Sequence, residues 1–324
     1  MKMPDKELFL GIDTSNYTTS AALCDSDGKI ILNLKKLLPV KEGERGLRQS
    51  DALFLHTKNL PEIMQGLKVF LDNGYRDCKI VALGCSATPR DAEGSYMPCF
   101  LSGVSVAESL SAALGCPKYL FSHQNGHVMA ALYSSKKTEF LSSTEPFAAF
   151  HVSGGTTELL LITPCSNSFK VEQIGGTEDM NAGQAIDRTG VLMGLTFPCG
   201  REMETLCTSV PNQKCRVSVK GLSCNLSGLE NLASKLYKET NDRALTSAYC
   251  FDFVAETLKK LSLNLRDNYP NIPIIFAGGV MSNKRIANNL EKLGNVYFSE
   301  PEFSADNAAG IALLTRRKHL MENN

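Results

Sequence analysis

The pattern of apolar and polar positions predicts the same order of elements in the two halves of the chain. Each half begins with three short apolar runs, which are typical of strands. In the first half the predicted strands are 7–14, 18–24, 29–34 and 80–85, and the predicted helices are 56–73 and 104–114. In the second half the predicted strands are 147–153, 157–163, 169–174 and 274–277, with helices before the last strand and another at 283–293. This order predicts a mixed sheet covered by helices, and its recurrence predicts a duplicated α/β unit.

Two turns rich in small hydroxyl residues have related sequences. They read T-S-N-Y-T-T-S-A-A-L at 14–23 and V-S-G-G-T-T-E-L-L-L at 152–161, and each joins two apolar runs. Small residues let backbone N–H groups approach an anion closely, and hydroxyl groups add donors. The turns therefore predict two similar lobes facing a phosphate-binding cleft, although two ordinary β-hairpins would have the same pattern.

The predicted elements divide the chain into two lobes. We expect an N-terminal lobe at 1–120, with a C-terminal helix at 304–324 packing back on it, and a C-terminal lobe at 121–303. The second lobe carries an insertion at about 182–260 that we predict to be helical. The stretch 242–267 has Leu, Val and Phe at the spacing of an amphipathic helix.

Composition limits the classes of protein that the chain can represent. Its 324 residues include 34 basic and 34 acidic side chains, so contact with a nucleic acid must come from a local basic patch. Eleven cysteines without a C-x-x-C pair indicate a reducing compartment and argue against a disulfide framework or a cysteine zinc site. We find no signal peptide and no apolar run of membrane-spanning length, so we expect a cytoplasmic protein without membrane contact.

Two histidines lie four residues apart in H-Q-N-G-H. If a helix runs through this stretch, His123 and His127 share one face and can reach the same metal ion. A third ligand would have to come from elsewhere in the chain. The alternative is one histidine at a helix cap and one packed against the sheet.

Three further positions suggest polar chemistry. A predicted strand ends in Gly278 and Gly279 before a helix, which is typical of phosphate or nucleoside binding but also of tight strand–helix packing. Asp187 lies among apolar residues and needs a partner, such as a ribose hydroxyl, a metal or an arginine, unless it faces solvent. Asp306 opens the last predicted helix and could be its N-cap.

Five motifs in one order resemble the TsaD/Kae1/Gcp family. They are H-Q-N-G-H, H-V-S-G-G-T-T-E-L, A-G-Q-A-I-D-R, F-A-G-G-V-M-S-N and A-D-N-A-A-G-I-A. Members of the family transfer a threonylcarbamoyl group to adenosine 37 of tRNA. They are built as two duplicated ribonuclease-H-like lobes with mixed sheets, the actin/Hsp70/sugar-kinase superfold. The resemblance implies this α/β fold and this class of transferase.

The resemblance also implies roles for individual residues. His123, His127 and Asp306 correspond to the ligands of one divalent metal, iron or zinc, that holds the acyl-adenylate. A second set corresponds to positions that bind substrate or nucleotide: His151, Val152, Ser153, Gly154, Gly155, Asp187, Gly200, Gly278, Gly279 and Asn283. The implied ligands are ATP or threonylcarbamoyl-adenylate. The implied partners are tRNA and either a TsaB-like protein or a second copy of the chain.

The chain departs from the family pattern at several positions. Tyr17, Thr156, Gln184, Cys199 and Glu230 replace residues of different chemistry, and the stretch 88–96 replaces a glycine-proline loop. Three hypotheses follow. The chain transfers a carbamoyl-type group to tRNA adenosine, applies the same chemistry to a small-molecule acceptor, or is a catalytically quiet nucleotide-binding subunit that regulates a partner. No catalytic side chain is assigned, because the adenine amine is the nucleophile in the first of these.

Overall fold

The computed structural model describes residues 7–15, 17–39, 47–166, 168–304 and 308–323. The first elements along the chain are β1 (Glu7–Ser15), β2 (Thr18–Asp25), β3 (Ile30–Leu37), α1 (Gln49–Asp72), β4 (Lys79–Thr88), α2 (Phe100–Leu114), β5 (Lys118–Ser122) and α3 (His123–Ser134). They are followed by β6 (Phe147–Val152), β7 (Thr157–Pro164), β8 (Phe169–Thr177), α4 (Ala182–Leu192), α5 (Gly200–Leu206), β9 (Ser218–Lys220), β10 (Ser223–Asn225), α6 (Ser227–Thr240) and α7 (Arg243–Asn268). The last elements are β11 (Ile274–Ala277), α8 (Lys284–Glu291), β12 (Val296–Phe298), α9 (Pro301–Ser304) and α10 (Ala309–Asn323).

The chain divides into two compact units. The first holds the described residues up to Tyr133 together with α10, and the second holds Ser134–Cys165 and Phe169–Ser304. The sequence predicts a boundary near 120, whereas α3 belongs to the first unit. The reason is its packing on α10, where a Cβ atom on Gly310 would lie 1.8 Å from the carbonyl oxygen of Gly126. The phosphate-binding cleft that the two turns suggest stays a prediction.

The first unit is built on a five-stranded sheet in the order β3-β2-β1-β4-β5. The strands β1, β2 and β3 are antiparallel neighbours, and β1, β4 and β5 are parallel neighbours. Leu10 and Ile12 of β1 belong to the core that includes residues of α1 and α2. Between them, Gly11 leaves room for α10, because a Cβ atom there would lie 2.4 Å from the backbone nitrogen of Ala312.

The second unit repeats this arrangement within a seven-stranded sheet in the order β12-β11-β6-β7-β8-β10-β9. The strands β6, β7 and β8 are antiparallel neighbours, and β6, β11 and β12 are parallel neighbours. The strands β8-β7-β6-β11-β12 therefore have the topology of β3-β2-β1-β4-β5. The predicted duplication of an α/β unit with a mixed sheet is confirmed.

The predicted insertion differs from the structure in one respect. It contains helices α4 to α7, but also the hairpin β9–β10, which extends the sheet because β10 pairs in parallel with β8. Strands of three residues are too short to leave an alternating pattern in the sequence. The helix α7 also differs from its amphipathic prediction, because polar side chains such as Thr246, Asp252 and Ser262 are buried along it. None of the helices in the described ranges combines the length and apolar character needed to cross a membrane.

Candidate functional site

The two histidines of H-Q-N-G-H face each other at the start of α3. This helix follows β5 without a connecting loop, so His123 is its first residue and His127 lies one turn later. The Nε2 atoms of the two rings are 2.8 Å apart, and the ring centroids are 4.3 Å apart. Both side chains are partly buried. The structure therefore brings together the two imidazole groups that the spacing suggested.

Asp13 lies at the end of β1 and holds the first of these rings. Its carboxylate is fully buried and accepts hydrogen bonds from Nδ1 of His123 at 3.1 Å and from Oγ of Ser15 at 2.5 Å. A third hydrogen bond comes from Oγ of Ser86 in the neighbouring strand β4. Burial raises the pKa of Asp13, but the electrostatic attraction of His123 and these hydrogen bonds outweigh burial and lower the pKa below its usual value. Asp13 is therefore an ionised carboxylate in the interior of the first unit.

This hydrogen bond determines which nitrogen of His123 is available. When Nδ1–H donates to Asp13, Nε2 of His123 carries a lone pair, and it faces Nε2 of His127. Carboxylate-supported imidazole nitrogens are suitable ligands for iron or zinc, so the donor set fits the metal that the resemblance implies. Asp306, the third expected ligand, lies outside the described residues. Within the described ranges, no three His, Cys, Asp or Glu side chains converge as a metal would require.

The stretch 88–96 packs on the start of α3. The backbone N–H of Gln124 donates to the carbonyl oxygen of Pro89 at 3.0 Å. The side-chain amide of Asn125 donates to a carboxylate oxygen of Asp91 at 2.5 Å. The loop that replaces the family's glycine-proline loop is thus tied to two of the three residues between the histidines.

The turn between β6 and β7 is open on its outer side. Oγ of Ser153 accepts the backbone N–H groups of Gly155 and Thr156, both at 3.1 Å, and this gives the turn its shape. Gly154 and Gly155 are exposed, with no atom within 4 Å of the place a Cβ would take. His151 lies beside the turn, with Nδ1 at 3.3 Å from Oγ1 of Thr156.

The hydroxyl residues that flank the equivalent turn in the first unit are withdrawn from solvent. Ser15 and Thr18 are buried, and the hydroxyl group of Ser15 is used by Asp13. In the second unit, Val152 is buried as well, so its side chain belongs to the core and only its backbone could contact a ligand. The two turns are therefore related in sequence but differ in the groups that they expose, since the β6–β7 turn exposes the backbone of its two glycines.

The two glycines after β11 have different roles. Gly278 has a φ of 102°, and a Cβ atom there would lie 2.2 Å from the carbonyl oxygen of Val152. Tight packing thus accounts for Gly278, and it brings this turn next to the β6–β7 turn. Gly279 has open space around it and can approach a ligand. Asn283 caps α8, since its side-chain oxygen accepts the N–H of Ile286 at 3.0 Å.

Asp187 finds a partner that the sequence did not suggest. Its Oδ1 accepts the backbone N–H of Cys199 at 2.8 Å, which places the carboxylate beside Gly200 at the start of α5. Burial raises the pKa of Asp187, and this hydrogen bond opposes the effect of burial. The structure therefore brings Asp187 and Gly200 together.

Three departures from the family pattern have a structural explanation. The side-chain oxygen of Gln184 accepts the N–H of Asn181 and so caps α4. Glu230 forms an ion pair with Arg188 at 3.0 Å on the surface. Cys199 packs against Gly190, where a Cβ atom would lie 2.2 Å from the Cβ of Cys199. Each of these replacements therefore makes a contact within the second unit that accounts for the side chain present.

A polar cleft of about 720 Å³ lies between α5 and α8, and we call it the α5/α8 cleft. Arg201 and Lys284, which line it, directly follow Gly200 and Asn283 in the chain. No local pattern in the sequence indicates this cleft, because its lining residues come from two segments about 80 positions apart. Asp13 has a local signal, because it is a carboxylate that directly follows an apolar strand, but nothing in the local sequence indicates His123 as its partner.

Comparisons with known proteins identify a fold and a family. The chain is similar in structure to full-length HypF in its phosphate- and nucleotide-bound form, with 12% identity and a TM-score of 0.61 over 98% of this chain and 47% of that one. It is similar to component A of (R)-2-hydroxyglutaryl-CoA dehydratase from Acidaminococcus fermentans, with 16% identity and a TM-score of 0.52 over 97% and 99% of the two chains. It is also similar to a ROK family protein from Streptococcus pneumoniae, with 15% identity and a TM-score of 0.53 over 98% and 99%.

At these identities the structural matches establish the fold alone, and they confirm the actin/Hsp70/sugar-kinase superfold. The chain spans about half the length of HypF. The family model described as "TsaD: tRNA N6-adenosine threonylcarbamoyltransferase" matches residues 52–313, which is more than half of the chain. The chain therefore belongs to the TsaD family, a family of transferases that act in tRNA processing.

Proposed function

We propose that this chain transfers a threonylcarbamoyl group from an acyl-adenylate to the N6 amine of adenosine 37 in tRNA. The observation that carries this proposal is the histidine pair of α3, whose first ring is held by Asp13 within a chain of the TsaD family. The transfer forms a bond between N6 and the carbamoyl carbon and breaks the bond from that carbon to the phosphate oxygen. AMP leaves, and N6 loses a proton.

The first unit supplies the metal ligands in this proposal. His123 and His127 would hold one iron or zinc ion through their Nε2 atoms, and Asp306 would be the third ligand. When bound, this ion would polarise the acyl-adenylate and offset its negative charge. Asp13 keeps the lone pair of His123 on Nε2 and holds the ring in place, which is a positioning role.

The second unit supplies the nucleotide contacts. The open backbone at Gly154 and Gly279 would donate N–H groups to phosphate oxygens, because no side chain obstructs it, and Gly155, whose N–H is bound to Ser153, would leave room for the phosphate. Asp187 and Gly200, together at the start of α5, would lie against the ribose and the base. The side-chain oxygen of Asn283 accepts a backbone N–H group of α8. Its NH₂ group is the part of this side chain that would donate a hydrogen bond to the base.

The proposed location of the protein is the cytoplasm. All eleven cysteines are free thiols, which supports a reducing compartment of this kind. The family acts with partner proteins, and we include a TsaB-like protein or a second copy of this chain among the expected partners.

Transfer of the same group to a small-molecule acceptor is the second candidate function. It is supported by the unusual loop at 88–96, tied to α3 through Asp91 and Asn125.

The test uses purified protein, threonylcarbamoyl-adenylate and unmodified tRNA, with mass spectrometry of the digested tRNA. We expect threonylcarbamoyladenosine, and we expect His123→Ala to lose both product and bound metal by elemental analysis. His319→Gln, which alters a histidine on α10, is the matched control and should keep both. Threonylcarbamoyl transfer to a small molecule instead would establish the second candidate. Nucleotide binding without turnover on any acceptor would favour a regulatory subunit.

A further inference from the structure

Three side chains form a continuous row of hydrogen bonds at the β6–β7 turn, and we call it the Ser–Thr–His row. The hydroxyl oxygens of Ser153 and Thr156 are 3.0 Å apart, and Oγ1 of Thr156 lies 3.3 Å from Nδ1 of His151. All three side chains are partly buried, whereas Gly154 and Gly155, between the two hydroxyl residues, are exposed. The row therefore leads from an imidazole on β6 to hydroxyl groups in an open turn.

The hydrogen bonds of Ser153 fix the direction of the row. A hydroxyl group has one proton to donate and two lone pairs that accept. Both lone pairs of Ser153 are used, because its Oγ accepts the backbone N–H groups of Gly155 and Thr156, each at 3.1 Å. Ser153 therefore donates its proton to Oγ1 of Thr156, and Thr156 donates its own proton to Nδ1 of His151. Among the contacts of the described residues, this leaves one lone pair of Thr156 for a donor on a bound ligand.

The neighbouring strand gives His151 a carboxylate on the same face of the sheet. Phe150 and Val152, on either side of His151, belong to the core of the second unit, so the imidazole lies on the opposite face of β6. Glu158 on β7 is directly opposite His151 in the register of the two strands. The Cβ atoms of such a pair are about 4.5 to 5.5 Å apart. A carboxylate at this position stabilises the positive charge that the ring gains with a proton.

The turn that presents Thr156 also holds the reacting group in the proposed function. There the N–H of Gly154 donates to the phosphate of the acyl-adenylate, and the bond that breaks joins this phosphate to the carbamoyl carbon. Thr156 lies two residues after Gly154 in the same turn. A nucleophile that attacks the carbamoyl carbon beside the turn would therefore meet the unused lone pair of Thr156.

We propose that Thr156 and His151 form a proton relay that serves the nucleophile of the transfer. This inference rests on the proposed function, and it assigns the acceptor of the proton that N6 loses. As N6 bonds to the carbamoyl carbon, one N6 proton moves to Oγ1 of Thr156, and the Thr156 proton moves to Nδ1 of His151. The bond from the carbamoyl carbon to the phosphate oxygen breaks, and its electron pair leaves with AMP. His151 then loses the proton to water, so that the relay returns to its starting state.

The members of the relay have different roles. Thr156 touches the nucleophile and His151 is the base, so these two are the catalytic residues. Ser153 is a positioning residue, because its proton orients the hydroxyl group of Thr156. Glu158 is a positioning residue as well, because its charge supports the protonated ring.

The test measures a single turnover of threonylcarbamoyl-adenylate by rapid quench, once with tRNA as the acceptor and once with water alone. We expect Thr156→Val and His151→Ala to lower the rate of this turnover by about 100-fold or more, which is the contribution of a well-placed general base. Calorimetry with ATP should give these variants the affinity of the unmodified protein, because the relay acts on the nucleophile.

Matched variants separate a relay from a structural role. Thr156→Ser keeps the hydroxyl group and should keep the rate. Thr163→Val removes an exposed hydroxyl group elsewhere on β7 and should keep it as well. Imidazole added to the buffer should restore part of the rate of His151→Ala, because it replaces the missing base. An unchanged rate in Thr156→Val would overturn the inference, as would equal losses in Thr156→Ser and Thr156→Val or no recovery with imidazole.

The two acceptors distinguish this inference from the proposed function. Hydrolysis that depends on Thr156, without any threonylcarbamoyladenosine, would remove the proposed function and keep the relay, with water as its nucleophile. Equal formation of threonylcarbamoyladenosine by Thr156→Val and the unmodified protein would keep the function and overturn the relay. Absence of turnover with either acceptor would remove both.

Discussion

Nδ1 of His123 lies 3.1 Å from Oδ1 of Asp13, a residue 110 positions earlier in the chain. This contact joins the end of β1 to the start of α3 and selects the nitrogen of His123 that faces His127. A carboxylate behind a ligating imidazole increases the basicity of the ring and holds its orientation. The contact therefore supports any metal-binding role of the histidine pair.

We expect Asp13→Asn to weaken metal binding by about 10- to 100-fold, because the ring loses the charge that supports it. The measurement is competition with a chelator of known affinity, followed by elemental analysis. Ser20→Ala is the control, since the hydroxyl of Ser20 bonds the backbone oxygen of Asp13 and not its carboxylate. Equal metal affinity in Asp13→Asn and the unmodified protein would contradict the positioning role.

We expect Arg285→Met to lower the free energy of unfolding by about 3 to 5 kcal/mol, because Asp252 would be left buried without its partner. Urea denaturation gives this value. The double variant Arg285→Met/Asp252→Leu should be less destabilised than Arg285→Met alone, since no unpaired charge remains. Lys259→Met breaks an exposed pair with Glu256 and should cost less than about 1 kcal/mol. Similar losses for the two single variants would contradict this account.

Asp179 should make the second unit sensitive to acid. Burial raises the pKa of its carboxyl group, but hydrogen bonds from Ser227, Leu226 and Met180 outweigh burial and lower the pKa below its usual value. A lowered folded-state pKa stabilises the protein above the unfolded pKa of about 3.9, and this contribution is lost as the pH falls below that value. The measurement is urea denaturation of Asp179→Asn and the unmodified protein from pH 7 to pH 3.

The difference in stability between these two proteins should be largest near neutral pH and should shrink below about pH 4. Asp267→Asn is the control, because Asp267 is exposed on α7 and has no hydrogen bond among the described residues. A stability difference that stays constant over the whole pH range would mean that the charge of the Asp179 carboxylate does not stabilise the start of α6.

The two neighbouring glycines after β11 should respond differently to a methyl group. Gly278→Ala places a side chain at a φ of 102° and against the backbone of Val152, so we expect a loss of roughly 2 to 5 kcal/mol in unfolding free energy. Gly279→Ala enters open space and should change stability little. Thermal unfolding of both variants tests this. Equal melting temperatures would show that Gly278 is not required by packing.

Local signals in the sequence determined much of the architecture. Apolar runs of strand length, turns of small residues and helical spacing predicted the elements of both units and their duplication. The four-residue spacing of His123 and His127 placed the two rings on one helical face, because one helical turn depends only on neighbouring residues. The motifs around these elements sufficed to recognise the family.

Only the tertiary structure decided the contacts between distant segments. Asp13 meets His123, and Asp187 meets the N–H of Cys199, although nothing in either local sequence names its partner. The same is true of the α5/α8 cleft and of the three-residue strands of the β9–β10 hairpin. These features arise when sheets and helices pack and bring remote residues together, and a polar group then takes the donor or acceptor that packing leaves within reach.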